Sequence, residues 1–272
     1  MSTARYLDDI LAAHRAQAAA DRRDVETLVA RARSAGPTRS FRDALVAGPG
    51  LAVIAEIKRR SPSKGDLAPG LDPEALSQEY WAGGARALSV LTDAAFFGGS
   101  PDDLAAARRA CPLPVLRKDF TVGPADVADA RLMGADAVLL IAAALGDPEL
   151  ADLVGLARSL GLDALVEVHD EAEAGRAVTA GADIIGVNQR DLRTFAVDRA
   201  RAARVVRALP AAVVAVAESG VGDGDDARRL ADAGFRAVLV GESLLGAGDR
   251  RAAVAAMVGH PVGAPVDPAG RA

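Results

Sequence analysis

Val53-Ile54-Ala55-Glu56-Ile57-Lys58-Arg59-Arg60-Ser61-Pro62-Ser63-Lys64-Gly65 begins as an apolar strand and ends as a polar loop. Residues two apart in a strand point to the same side, so Glu56 and Lys58 share a face with Ile54. The other face, Val53, Ala55 and Ile57, is apolar throughout. A strand apolar on both faces belongs in a parallel sheet covered by helices. Opposite charges at the end of such a strand cost stability and suit a site.

Seven further runs of the same kind follow: Ala87–Leu91, Leu113–Leu116, Ala137–Ile141, Ala164–Val168, Ile184–Val187, Val213–Ala217 and Ala237–Val240. A loop and an amphipathic helix lie between consecutive runs. Asp72-Pro73, Ser100-Pro101 and Asp147-Pro148 each put an N-cap residue before a proline at the first helical position. Gly84, Gly134, Gly161, Gly181 and Gly234 stand where a helix ends, just before the next run. Eight strand–helix units predict an α/β fold of the (β/α)8 TIM-barrel type over residues 51–258. An open dinucleotide-binding sheet would carry a Gly-x-Gly-x-x-Gly turn after its first strand, and none is present.

Residues 1–50 stand outside the repeat and form an N-terminal helical extension packed on the barrel. Tyr6–Ala19 and Asp24–Ala35 read as its helices. Leu7, Ile10, Leu11 and His14 make one helical face, which fits either the barrel bottom or its mouth. Residues 259–272 form a C-terminal tail, loose from Gly263 onward.

The chain has 272 residues, 50% of them hydrophobic, enough for one large core. Its net charge of −5 gives no pointer to nucleic acid or to an anionic membrane surface. Cys111 is the single cysteine, so no intrachain disulfide is possible. No signal-peptide core and no apolar stretch of membrane-spanning length appears. These features fit a cytoplasmic protein.

Barrel chemistry sits at the carboxy-terminal ends of the strands. Standing there are Glu56 and Lys58, Lys118, Glu167, Asn188, and Glu218. Two lysines and three glutamates thus converge on one mouth. An amine beside carboxylates in a partly dry cavity has its proton affinity tuned for acid or base work. Ser219-Gly220 and Gly241-Glu242 follow the last two strands, where barrels bind phosphate through backbone N–H groups. The Glu242 side chain should turn away, leaving only its N–H for an anion. Cys111 reads as inert, and His169, two residues past Glu167, is set aside because a helix starts at Asp170. His14 and His260 are isolated in the sequence, no His/Cys/Asp cluster has metal spacing, and no metal is expected.

These residues resemble the indole-3-glycerol-phosphate synthases of tryptophan biosynthesis. The resemblance rests on Glu56-Ile57-Lys58 with Ser61-Pro62-Ser63, on Leu116 to Phe120, and on Val166 to His169. It continues through Gly186 to Leu192, Ala217 to Gly220 and Val240 to Ser243. It implies a barrel with an N-terminal helical segment, a phosphorylated small-molecule substrate and no cofactor. Carried over, Lys118 is the general acid on the ribulose carbonyl, and Glu167 takes part in proton transfer. Lys58 meets the substrate carboxylate and supplies a proton at dehydration. Glu56, Asn188 and Glu218 orient these groups and bind hydroxyls. Ser61 and Arg190 bind substrate, Phe97 and Phe120 wall the anthranilate ring, and Ser219, Gly220, Gly241 and Glu242 hold the phosphate. A monomer is expected, with association with other tryptophan-pathway enzymes left open. Arg60, Gly98-Gly99 and Gln189 depart from the family's common pattern, away from the acid and base. Rival readings are a phosphosugar isomerase such as phosphoribosylanthranilate isomerase, a Schiff-base aldolase and a retasked barrel without activity.

Overall fold

A computed structural model describes residues 6–61, 64–190 and 198–263. The motif residues Pro62, Ser63, Asp191 and Leu192, and the tail from 264 onward, lie outside them. Eight parallel strands close into a barrel: β1 (Ala52–Ile57), β2 (Ala87–Leu91), β3 (Val115–Lys118), β4 (Ala137–Ile141), β5 (Asp163–Val168), β6 (Ile184–Asn188), β7 (Val214–Glu218) and β8 (Ala237–Val240). Each strand pairs with its sequence neighbours, and β8 returns to β1 through Ala52 and Ala237. The (β/α)8 expectation therefore holds.

The third strand begins two residues later than the apolar pattern suggested. Leu113 is buried but precedes Pro114, which has no N–H to give to a ladder. The five helix-end glycines all take positive φ, between 74° and 103°. The Asp147-Pro148 start is corrected by one residue, because Gly146 is the N-cap and receives the Glu149 carboxylate on its N–H at 2.9 Å.

Inside the barrel, alternate strand residues form one apolar layer: Ala52 and Ile54, Ala87, Leu116, Ala137 and Leu139, Leu165, Ile184, Val214 and Val216, Ala237 and Leu239. The alanines leave space near the bottom, and a short helix fills it. That helix is α3 (Phe41–Val46), with Phe41 and Leu45 fully buried against the layer. It was absent from the sequence reading. Ser40 caps it, and the Asp163 carboxylate takes the N–H groups of Phe41 and Arg42 at 2.8 and 3.0 Å.

The rest of the extension runs the length of the molecule. Helix α1 (Tyr6–Ala20) lies at the mouth, where Leu7 and Ile10 line the cavity. Helix α2 (Val25–Arg33) packs on α7 (Pro124–Leu132) at the flank. Bottom contacts then fix the connection to α3. Asp136, fully buried, accepts from Arg39 N–H, the Arg108 guanidinium and Val115 N–H at 2.8–2.9 Å. Residues 259–263 are stitched to the start of β1 and to Ala231, so Gly263 is held rather than loose. No helix among the described residues is long and apolar enough to cross a membrane.

Candidate active site

Continue the inward alternation past the apolar layer, one step on four strands and two on β6, where Gly186 intervenes, and the side chains become Glu56, Lys118, Glu167, Asn188 and Glu218. The same parity that builds the core therefore aims these five at the barrel axis. They line a cavity of about 540 Å³ at the carboxy-terminal mouth. Lys58, Ser61, Phe97, Phe120, Arg190, Ser219, Gly220 and Glu242 line it too. Gly241 does not. Its α-carbon faces Glu56, and a Cβ there would lie 2.6 Å from Glu56 Oε1.

Lys118 is the hub. Its Nζ lies 3.4 Å from Glu167 Oε2 and 3.8 Å from Glu218 Oε2. Burial works against its charge, but Glu167, Glu218 and Glu56 hold its pKa above the usual lysine value. Glu167 accepts from Asn188 Nδ2 at 3.1 Å. Burial pushes that carboxyl up, yet Lys118 and then His169 bring it below the ordinary range. Glu218 goes the other way. Burial and the negative Glu167 push it up to about 8, with Lys118 opposing. Its Oε1 has no hydrogen-bond donor and lies against Gly186, where a Cβ would overlap it. Two carboxyls beside one ammonium are thus split, one ionised and one neutral at neutral pH.

A second pair stands beside the first. Lys58 Nζ meets Glu56 Oε1 at 2.6 Å. The chain then turns into a hairpin of Arg60–Ser61 and Gly65–Asp66. Arg60 donates to the carbonyls of Phe96 and, at 2.5 Å, of Ala95, so it steadies the short helix α5 (Ala94–Phe97) that carries Phe97. Lys64, from the same hairpin, forms an ion pair with Glu242 across the mouth. The Glu242 carboxylate is therefore taken up by a cation.

The apolar wall is Phe97 and Phe120, 6.2 Å apart between ring centres, together with Leu7 and Ile10 of α1. His14 closes this side. Its ring lies 5.4 Å from that of Phe120, and its Nε2 meets Asp93 Oδ2 at 2.8 Å and Asp119 Oδ1 at 3.9 Å. The view of His14 as isolated is corrected: the fold gathers it with two carboxylates. The Asp93 hydrogen bond raises its pKa. Asp119 also takes Phe120 N–H at 2.8 Å and Arg117 at 3.0 Å, which fixes the chain just after Lys118.

At the opposite side, Ser219 and Gly220 take φ of 64° and 71°. Ser219 is the only non-glycine residue with positive φ among the described residues. Such a conformation costs on the order of 1–3 kcal/mol and persists where neighbours enforce it. Gln189 is the enforcer: buried, it donates Nε2–H to Ser219 O at 2.8 Å and its backbone N–H to Glu218 O at 3.0 Å. No local pattern signals this role, because the bond joins residues 30 apart. The turn leads toward α12 (Glu242–Leu245), which has Gly241 as its N-cap.

Fold and site together define a (β/α)8 barrel that keeps acid–base side chains and a strained backbone turn at the carboxy-terminal ends of its strands. The family described as indole-3-glycerol phosphate synthase matches residues 7–257, and the chain belongs to that family. It is 54% identical over 228 residues to indole-3-glycerol phosphate synthase 2 of Streptomyces coelicolor, covering 84% of this chain and 88% of that one. It is 50% identical over 260 residues to the indole-3-glycerol phosphate synthase of Mycolicibacterium smegmatis, covering 95% of each. Thiamine phosphate pyrophosphorylase from Pyrococcus furiosus shares the fold alone, with a TM-score of 0.59 at 18% identity over 80% of this chain and 96% of that one.

Proposed function

We propose that this chain converts 1-(2-carboxyphenylamino)-1-deoxyribulose 5-phosphate to indole-3-glycerol phosphate, releasing carbon dioxide and water. It would act as a carboxy-lyase without a cofactor. The observation that carries the reading is the Lys118 ammonium held between Glu167 and Glu218 at the top of the barrel, facing an aromatic wall.

Ring closure forms a bond from the aryl carbon to the ribulose carbonyl carbon and puts negative charge on the carbonyl oxygen. Lys118 donates a proton there, a transfer of the size general acids supply. Carbon dioxide then leaves and aromaticity returns to the ring. Glu167, ionised beside Lys118 and oriented by Asn188, stabilises the cationic intermediate and takes the ring proton whose loss completes the indole. Lys58, steadied by Glu56, meets the substrate carboxylate and protonates the departing hydroxyl. Glu218, neutral at neutral pH, can donate to a substrate hydroxyl. Ser61 and Arg190 bind substrate, and Phe97 and Phe120 flank the anthranilate ring. Phosphate is assigned to the backbone around Ser219 and Gly220 and to the start of α12 at Gly241 and Glu242, where N–H groups suit an anion. Gly241 serves a second purpose by making room for Glu56. An anchor remote from the reacting carbons supplies binding energy that holds the chain in a bent, reactive shape.

The working form is assigned as a cytoplasmic monomer, with a free buried thiol at Cys111. The test is to mix purified protein with the substrate and follow indole fluorescence. A saturable rise without added metal or cofactor is expected. Tight binding without any rise would overturn the catalytic reading in favour of a retasked barrel.

A further inference from the structure

His169 is the one imidazole that touches the proposed proton-transfer cluster, and no role has yet been given to it. It follows β5 directly, before α9 (Glu171–Thr179). Its Nδ1 lies 3.0 Å from Glu173 Oε2, and the same oxygen takes its backbone N–H at 2.8 Å. Its Nε2 is buried, has no hydrogen-bond partner, and lies 3.6 Å from Glu167 Oε1. Glu173 is itself fixed, because Asp170 caps α9 by accepting Glu173 N–H at 2.8 Å.

The ring therefore sits between two carboxylates, one at each nitrogen. A neutral imidazole has one N–H and one lone pair. Either tautomer would turn a lone pair toward a carboxylate oxygen in a nearly dry setting. Only the doubly protonated ring suits both neighbours. We propose that His169 is held as an imidazolium by Glu173 and that its charge keeps Glu167 ionised, making it a positioning residue that acts through Glu167.

The charges of the surroundings agree. Glu167 from β5, Glu173 from α9 and, further off, Glu218 from β7 face the ring. Lys118 and the neutral Asn188 lie beyond Glu167. With Glu218 neutral, the carboxylates of Glu56, Glu167 and Glu173 balance Lys58, Lys118 and His169. A neutral His169 would leave the cluster net negative at the place where a substrate carrying a carboxylate and a phosphate must enter. Burial works to lower the His169 pKa, but the Glu173 hydrogen bond and the charge of Glu167 leave it raised.

The role rests on the function proposed above, but one of its tests does not. The chain has three histidines, so the His169 ring signals are identified in nitrogen-15 NMR spectra by their loss in His169→Asn. In the wild-type protein they should titrate above 6.5, the ordinary histidine value, and Glu173→Gln should bring the titration down. In turnover, the acid limb of the kcat/KM profile follows protonation of Glu167. Losing the imidazolium should move that limb up by roughly one pH unit in His169→Asn. Glu173→Gln should move it in the same direction and serves alone if His169→Asn fails to fold. A ring neutral at pH 6 in the wild type, or variants that lose rate while the limb stays in place, would overturn the proposal. Absence of turnover in the wild type would remove the function reading, and the NMR titration would still decide the state of His169.

Discussion

Both ends of the barrel bury charge, and they do so in opposite ways. At the bottom, the charges of Asp136 and Arg131 are fully answered, and Arg86 Nη1 is the exception, buried without a hydrogen-bond partner. Asp136 takes three donors, two of them backbone N–H groups, and Arg131 donates to carbonyls of Gly36, Ala35 and Leu160. At the mouth, answers are incomplete. Lys118 has only long contacts to two carboxylates, Glu218 Oε1 has no donor, and His169 Nε2 has no hydrogen-bond partner, only the Glu167 carboxylate at 3.6 Å. Burial of charge does not by itself mark a site. A saturated buried charge fixes the fold, and an unsaturated one that lines a cavity keeps capacity for a substrate.

Substitutions can break this contrast. Lys118→Ala should lower kcat by roughly a thousandfold or more, the range of a lost general acid, while calorimetry still detects substrate binding. Normal turnover would remove the assignment of the acid. Asp136→Ala should cost about 3–5 kcal/mol in urea unfolding, because it leaves two N–H groups without an acceptor and takes the carboxylate from the half-buried Arg108. The folded fraction should keep its kcat, and a lower kcat there would show that the bottom takes part in chemistry. Gly186→Ala should cost roughly a hundredfold in kcat, since its Cβ would occupy the place of Glu218 Oε1 and a small misplacement is expensive at a reacting centre. Full activity would free Glu218 of any positional role.

The smallest effect concerns stability at the mouth. Glu218 has a folded pKa of about 8 against 4.5 for the free group. Below pH 4.5 the folded and unfolded chains both hold the proton. As pH rises toward 8, the unfolded chain releases it first, so stability is lost over that window. Glu218→Gln avoids the loss and should gain a few kcal/mol at pH 8 and nothing at pH 4. An equal effect at both values would mean that Glu218 is ionised in the folded protein.

The barrel and the top residue layer were legible because they rest on local rules. Two-sided apolar strands, Asp72-Pro73 and Ser100-Pro101 starts and helix-end glycines each speak through neighbouring residues. Strand parity then places Glu56, Lys118, Glu167, Asn188 and Glu218 on the same side as Ile54, Leu116, Leu165, Ile184 and Val216. Features that join distant residues were not legible. The His14–Asp93 contact spans 79 positions. The six residues of α3 are too short for a helical period to show, and only the alanine-lined space beneath them explains their burial. Gln189 departs from the family's common pattern beside Asn188, and only its amide on the Ser219 carbonyl gives it a role.

The plug at the barrel bottom sets an order on synthesis. Phe41 and Leu45 leave the ribosome before any strand does, yet the chamber that houses them is walled by residues as late as Ala237 and Leu239. Until nearly the whole chain has emerged, an aromatic ring and a leucine wait without their berth. The last strand thus completes the sheet and shelters the first apolar cluster in one event. Such long-range closure is slow and leaves sticky surface open in the meantime. A nascent chain cut short before β8 has no interior to offer its own beginning.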